Sequence, residues 1–305
     1  VLRAAQVALE EGIATPILVG RPAVIEARCE RYGLSIRPGR ELAVVNPEDD
    51  PRYRDYVATF VERSGRRGIT PDAARALVRT STTVIAAVAV VRGDADAMIC
   101  GLEGRYMAHL KNIRDVIGLA PGVDEFAALS LVITNKGAYF ITDTHVTPEP
   151  NAEEIAAMAV LAAAHVRRFG LPPKIALLSH SDFGSYDSPS AAKMRAALAI
   201  LLKEHPELEV EGEMKGDTAL SPALRDRVFP NSRLSGEANV LIMPNLDAAN
   251  IAYQMTKVLA DALPVGPILM GAAQPAHILT PSVTARGVIN MTALAAVEAQ
   301  SRAAV

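Results

Sequence analysis

The chain has 305 residues, half of them hydrophobic, with 4% aromatics, no tryptophan and a formal net charge of -3. Such a length buries roughly three-quarters of its unfolded surface in one large or two ordinary domains, and the mild acidity argues against nucleic-acid binding because it leaves no basic footprint. Cys29 and Cys100 are the only cysteines, too few for a disulfide framework or a cysteine metal site and suited to a reducing cytoplasm; the longest apolar runs, 83–91 and 155–166, are too short and alanine-rich to span a membrane.

The opening segment Val1-Leu2-Arg3-Ala4-Ala5-Gln6 is already amphipathic and has no capping residue ahead of it, as expected after processing, at a cloning boundary or behind a preceding domain. Short apolar segments then alternate with helical patterns, the signature of an α/β fold with a largely parallel sheet. Strands are predicted at 17–19, 42–45 and 97–99. A hairpin of 126–133 and 138–142 follows, turning at Lys136-Gly137. Further strands are predicted at 174–178, 209–211, 240–243 and 267–270. Between them 152–169 reads as a helix, with Asn151 as N-cap, Glu153 and Glu154 in the first turn, Arg167 and Arg168 in the last, and Gly170 beyond. No repeat or flexible linker interrupts the chain, so a second domain would be joined by short crossings, with a cleft between the halves.

Ligands of open parallel sheets bind beyond the carboxyl ends of strands, which selects two loops. Residues 179–190 (Ser-His-Ser-Asp-Phe-Gly-Ser-Tyr-Asp-Ser-Pro-Ser) offer hydroxyls, amides and a helix start suited to a phosphate; alternatively Asp187, Ser188 and Ser190 only cap the next helix, the role favoured for Ser190. In Gly101-Leu102-Glu103-Gly104-Arg105-Tyr106, Arg105 can meet an anion, or Arg105, His109, Lys111 and Arg114 form a solvated helix face. Ile251, Met255, Val258, Leu259 and Ala262 fall at helical spacing, as core or as an interface, with core preferred for most. The six histidines are too scattered for a metal site, and neither a dinucleotide fingerprint nor a phosphate-loop motif is present.

Asn250-Ile251-Ala252-Tyr253-Gln254-Met255-Thr256-Lys257-Val258 and Leu279-Thr280-Pro281-Ser282 resemble the active-site segments of the phosphate acetyl/butyryltransferases, Gly-Asn-x-x-Tyr-Lys-x-x-x-Arg and Leu-Ser-Arg-Gly with an aspartate six residues beyond that arginine. Shorter matches in order, from Glu11-Gly12-Ile13-Ala14-Thr15-Pro16 through Asp143-Thr144-His145-Val146-Thr147-Pro148 to Pro244-Asn245-Leu246-Asp247, extend the resemblance over nearly the whole chain. Against that pattern the lysine position holds Gln254, the arginine Val258, the Ser-Arg pair Thr280-Pro281 and the aspartate Gly287. Acyl transfer between phosphate and a thiol needs cationic and oxyanion contacts, each worth on the order of 3 kcal/mol or roughly a hundredfold in rate. The resemblance therefore implies a family framework without catalytic residues.

Gly104-Arg105-Tyr106, Leu178-Ser179-His180-Ser181, Phe229-Pro230-Asn231-Ser232-Arg233-Leu234 and His277-Ile278-Leu279-Thr280 resemble more particularly the carboxy-terminal phosphotransacetylase-like domain of long bacterial NADP-dependent malic enzymes. That resemblance implies two α/β/α domains, 1–122 plus 267–305 and an inserted 123–266, of the isocitrate/isopropylmalate dehydrogenase-like superfamily, with an acyl-CoA in the cleft. It implies a cytoplasmic regulatory domain that binds acetyl-CoA as an allosteric inhibitor, dimerises through the inserted domain, and follows a malic enzyme domain to which NADP and a divalent metal would belong. Acetyl-CoA contacts are expected from Ser181, Gly184, Ser185, Lys257, Thr280, Ser282 and Arg286. The alternative is an active phosphate acetyl/butyryltransferase using Lys257 and Arg286 as substitute charges.

Overall fold

The structure, a computed structural model, describes residues 1–303. The chain forms two compact units, Val1–Gly122 with Ala272–Val305, and Val123–Gly271. In chain order the first contains α1 (Leu2–Glu10), β1 (Ile17–Val19), α2 (Pro22–Arg31), β2 (Ala43–Val45), α3 (Tyr53–Ser64), α4 (Pro71–Thr80), α5 (Thr82–Arg92), β3 (Met98–Cys100) and α6 (Tyr106–Val116). The second contains β4 (Ala127–Thr134), β5 (Gly137–Thr142), α7 (Ala152–Arg168), β6 (Lys174–Leu178), α8 (Pro189–Glu204), β7 (Glu209–Met214), α9 (Gly216–Leu220), α10 (Pro222–Val228), β8 (Val240–Ile242), α11 (Leu246–Leu259) and β9 (Leu263–Met270); the chain then returns through β10 (Ala276–Ile278) and α12 (Ala285–Ala303).

In the first unit β1 pairs in parallel with β2, and β3 with β10, so that Cys100 lies opposite Ile278. Helix α5 is apolar on nearly every side, with Val84, Ile85, Ala87, Val88, Ala89 and Val90 buried, as expected of a central core helix. Ser81 caps its start and Gly93 its end. Helix α12 packs on α1, β3 and β10. No single described helix is long and apolar enough to cross a membrane.

The second unit is built on a six-stranded sheet in the order β7-β6-β8-β5-β4-β9. The first four strands are parallel, and β4 runs antiparallel to both its neighbours. Alternation assigns the two faces. Val132, Ile141, Ala176 and Leu241 meet Ala249 and Tyr253 of α11 and Ala219 of α9, whereas Phe140 faces the other way, edge-on to Phe169 at the end of α7. Helix α7 carries the reciprocal capping box expected of Asn151 and Glu154.

The boundaries differ from expectation at instructive places. Strand β9 starts at Leu263, so the return crossing follows Gly271 and does not fall at 267. Gly266-Pro267 reads as a break in the sequence but sits where the β4–β9 register shifts between Leu129 and Leu131, an irregularity that tolerates a proline without N–H. Strand β7 continues to Met214, which puts Glu213 inside the sheet. The stripe assigned mainly to core is at the surface: Ile251, Met255, Val258 and Leu259 are exposed and only Ala262 of that set is buried.

Candidate functional site

In the second unit the loop between β6 and α8 folds over a carboxylate. Glu213 is fully buried, and its Oε1 accepts from Ser181 Oγ at 2.8 Å, from the Gly184 amide at 2.9 Å and from Arg195 Nη1 at 3.0 Å. The other Arg195 nitrogen, Nη2, donates to exposed Asp187 at 2.6 Å. Ser181 Oγ also accepts the Tyr186 amide at 3.0 Å, and Ser185 Oγ accepts the Asp182 amide at 3.0 Å. Lys215 is held by Asp182, whose Oδ2 lies 3.2 Å from Nζ. Ser188, and not Ser190, caps α8 by accepting the Ala191 amide at 3.1 Å; Pro189 follows as the first helical residue. The loop expected to cradle a phosphate therefore satisfies itself: the Ser181 hydroxyl and the Gly184 amide are turned to Glu213, while Ser185 stays at the surface.

Nearby, the turn after β5 is organised in the same inward way. Asp143 accepts backbone amides from Ala128, His145, Val146 and Thr147, yet burial outweighs these donors and raises its pKa. Burial also lowers His145 to about 4, keeping the imidazole neutral; its Nδ1 lies 2.9 Å from Thr144 Oγ1. Asn250 of α11 donates to the Thr144 carbonyl at 3.2 Å, and Tyr253 is buried in the core. Gln254 and Val258 face solvent. Lys257 Nζ donates to Gln254 Oε1 at 2.6 Å and lies over the Tyr253 ring, so its charge is partly folded back. The matching part of this motif holds the helix down, and the altered part points outward.

The first unit offers a different arrangement. Its parallel strands β3 and β10 end side by side, with the Leu279 amide donating to the Cys100 carbonyl at 2.8 Å. Gly101 has φ +93, and a Cβ there would collide with the Leu279 carbonyl, so only glycine lets the two departing loops approach so closely. His109 is an internal strut, not part of a solvated face: Nδ1 lies 2.8 Å from Thr83 Oγ1, and Nε2 lies 2.7 Å from the Glu103 carbonyl. An Nε2–H tautomer serves both contacts. The Cys100 thiol, beside Thr83, is pushed up to about 12 by burial and is no nucleophile.

Beyond β10, Thr280 Oγ1 and Ser282 Oγ lie 3.0 Å apart in an exposed turn, and Thr284 caps α12 by accepting the Gly287 amide at 3.1 Å. A Cβ on Gly287 would lie 2.6 Å from Val283 Cγ2, so Val283 fills the space that a side chain there would need. Arg105 and Arg286 are exposed, and among the described residues neither is matched to a carboxylate. Glu103 is the acid of the first loop. Buried His277 of β10 faces Glu298 of α12, with Nε2 3.2 Å from Oε2.

Sequence reasoning passed over Glu213, Arg195 and the His277–Glu298 pair. The available signal for Glu213 was an acid embedded among the strand residues Val210-Glu211-Gly212-Glu213-Met214, where a buried charge requires partners. No group of three or more side chains able to hold a metal ion occurs among the described residues.

Residues 1–296 match the family described as Phosphate acetyl/butaryl transferase. The chain is 60% identical to an NAD-dependent malic enzyme of Rhizobium meliloti (strain 1021) over 98% of its own length and 39% of that protein's. It is 46% identical to an NADP-dependent malic enzyme of Escherichia coli (strain K12) over 99% of its length and 40% of the relative's. The chain thus spans about two-fifths of the length of these curated relatives. Among solved structures, a phosphotransacetylase from Streptococcus pyogenes superposes with a TM-score of 0.90 at 27% identity, covering 99% of this chain and 91% of that one.

Proposed function

The chain belongs to the phosphate acetyl/butaryl transferase family, and from that premise we propose that it is a regulatory acyl-CoA-binding module of a malic enzyme, without acetyl transfer of its own. The observation that carries this reading is the pairing of uncharged Gln254, Val258, Pro281 and Gly287 at the family's catalytic positions with unmatched Arg105 and Arg286 in the first unit. The former removes the charges that would stabilise a transferring acyl group. The latter leaves cations for the phosphates of acetyl-CoA, supplemented by the hydroxyls of Thr280 and Ser282. Ser181 and Gly184 of the second unit support their own loop through Glu213 and do not touch the ligand.

In this reading the attached catalytic part oxidises malate with a nicotinamide cofactor and a divalent metal in the cytoplasm, and acetyl-CoA inhibits it by binding one arrangement of the protein better than another. A coupling of about 1–3 kcal/mol, or roughly 5- to 150-fold, is sufficient. Titration calorimetry of acetyl-CoA into the chain tests binding, and a coupled assay with acetyl phosphate and CoA tests transfer. Saturable binding with no acetyl-CoA formed is expected. Absence of heat at millimolar ligand, in the chain and in a longer protein that contains it, would sink the proposal; robust acetyl-CoA formation would restore the acyltransferase reading.

A further inference from the structure

The segment that carries Arg105 is held at its two ends and by one tie between them. It starts where β3 stops, with Gly101 fitted against the Leu279 carbonyl. It finishes where α6 begins, with the amides of Ala108 and His109 donating to the Arg105 carbonyl at 3.0 and 3.3 Å. Across Leu102, Glu103 and Gly104, among the described residues, the one hydrogen bond is that of His109 Nε2 to the Glu103 carbonyl. The ring that makes this bond is not free to follow the loop. Its Nδ1 accepts from the Thr83 hydroxyl at 2.8 Å, and Thr83 is buried in the first turn of the core helix α5. Gly104, at φ +97, passes so close to the ring that a Cβ would stand 2.9 Å from Nε2. His109 therefore brackets Arg105: its side chain fixes the carbonyl two residues earlier, and its main chain fixes the carbonyl of Arg105 itself.

We propose that His109 is a positioning residue for the effector: by tying Glu103 to α5 it keeps Arg105 where a phosphate of an acyl-CoA meets it. The proposal rests on the acyl-CoA reading and adds to it a residue that does not touch the ligand. Glu103, Gly104 and Arg105 are all exposed, so the tie orders a surface loop and seats no core side chain. An arginine on an untied loop is ordered only when the ligand arrives, which weakens binding; one ordered at folding is not. If the competent loop were populated about one-fifth of the time without the tie, affinity would fall about fivefold. Histidine suits the task because its two nitrogens stand at opposite ends of one rigid ring, one accepting from the helix and the other donating to the loop.

Titration calorimetry of acetyl-CoA into the 305-residue chain separates the two halves of the bracket. In His109→Gln the amide nitrogen reaches the place of Nε2 and keeps the donor to Glu103, so affinity should stay within about twofold of wild type. In His109→Asn the shorter amide meets Thr83 but not Glu103, and affinity should fall about fivefold. Adding His109→Asn to Arg105→Ala should weaken binding no further than Arg105→Ala alone, since a tie that acts through Arg105 then has nothing to position. Tryptic cutting of the bond after Arg105 reads the loop without ligand: wild type and His109→Gln should be cut at equal rates, and His109→Asn about fivefold faster. Should His109→Asn fail to fold, Gly104→Ala pushes the loop off the ring and is expected to give the same loss. A loss that persists in the Arg105→Ala background, or His109→Gln binding as weakly as His109→Asn, overturns the proposal. So does equal cutting of all three proteins. A wild-type chain that takes up no acetyl-CoA ends the acyl-CoA reading and the proposal with it, whereas a wild type that binds no better than His109→Asn ends the proposal alone.

Discussion

The loop after β6 and the loops after β3 and β10 occupy the same kind of place, beyond the carboxyl ends of parallel strands, yet their charges face different things. In the second unit Arg195 is matched by Glu213 and Asp187, and Lys215 by Asp182. In the first, Arg105 and Arg286 meet no carboxylate among the described residues. A loop rich in serine and glycine is therefore not by itself prepared for a ligand; what distinguishes the two is whether the polar groups have already found partners within the chain. Substitutions in the second-unit loop should move stability, and those in the first-unit loops should move binding. The largest effect is expected for Glu213→Ala, which leaves Arg195 without its buried partner and the Ser181 and Gly184 donors without an acceptor. A loss of about 3 kcal/mol in urea unfolding is expected. An unchanged midpoint together with lost acetyl-CoA binding would reverse the assignment of the two loops.

The turn after β5 extends the comparison to pH. His145 titrates at about 4 in the folded chain and near 6.5 when unfolded. Between these values the unfolded state holds a proton that the folded state refuses, so stability is lost as pH falls from about 6.5 toward 4. The slope is at most ~1.4 kcal/mol per pH unit, and partial exposure reduces the whole effect to about 2 kcal/mol. Unfolding of His145→Gln across this window should show a flatter acid limb than wild type; comparison at each pH cancels the opposing contribution of Asp143. An equal slope in both proteins would show that His145 is not buried neutral.

Next in size, Arg105→Ala and Arg286→Ala should each weaken acetyl-CoA binding roughly tenfold, about 1.4 kcal/mol. Melting temperature should not move, because neither side chain holds the fold. Calorimetry with dephospho-CoA and acetyl-pantetheine sharpens the assignment: the loss should shrink as phosphates are removed. Equal losses for all three ligands would mean that the arginines shape the site without meeting phosphate.

Local chemistry made much of the fold legible. The capping box of α7, the apolar run of β6 and the turn joining β4 to β5 all lie within a few residues of their causes. Other features depend on distant chain. Strand β10 has three residues and exists because β3, far earlier in sequence, offers it an edge. Pro267 signals a boundary until β4 is seen to accommodate it. The same division holds at the site. Uncharged Gln254 and Val258 could be read directly, but periodicity identifies a helix face without saying what covers it, which is why the α11 stripe read mainly as core although four of its five residues are exposed. The hydroxyls of 179–188 were legible as donors; that Glu213 had claimed them was not, since residue 213 reaches the loop only through the β6–β7 pairing.

The smallest effect tests whether Gly287, where the resemblance leads one to expect an aspartate, is a scar or a requirement. Gly287 is the third residue after the Thr284 cap, and its missing side chain leaves room for Val283. In Gly287→Asp the new Cβ must displace the end of Val283, at a cost offset by the roughly 0.3–1 kcal/mol that an acid in the first turn gains from the helix dipole. Stability should stay near wild type. The acid would stand next to Arg286 in sequence, and an opposite charge near a surface cation is worth about 1 kcal/mol, enough to lower acetyl-CoA affinity severalfold as its field is neutralised. Acetyl transfer should not return, because Gln254, Val258 and Pro281 remain uncharged. If affinity held while ionic-strength dependence fell, Arg286 would be steering the ligand without contacting it; if affinity rose, the first-unit loops would have to be recognising a cationic or neutral group, and the contrast between the two units would lose its basis in charge.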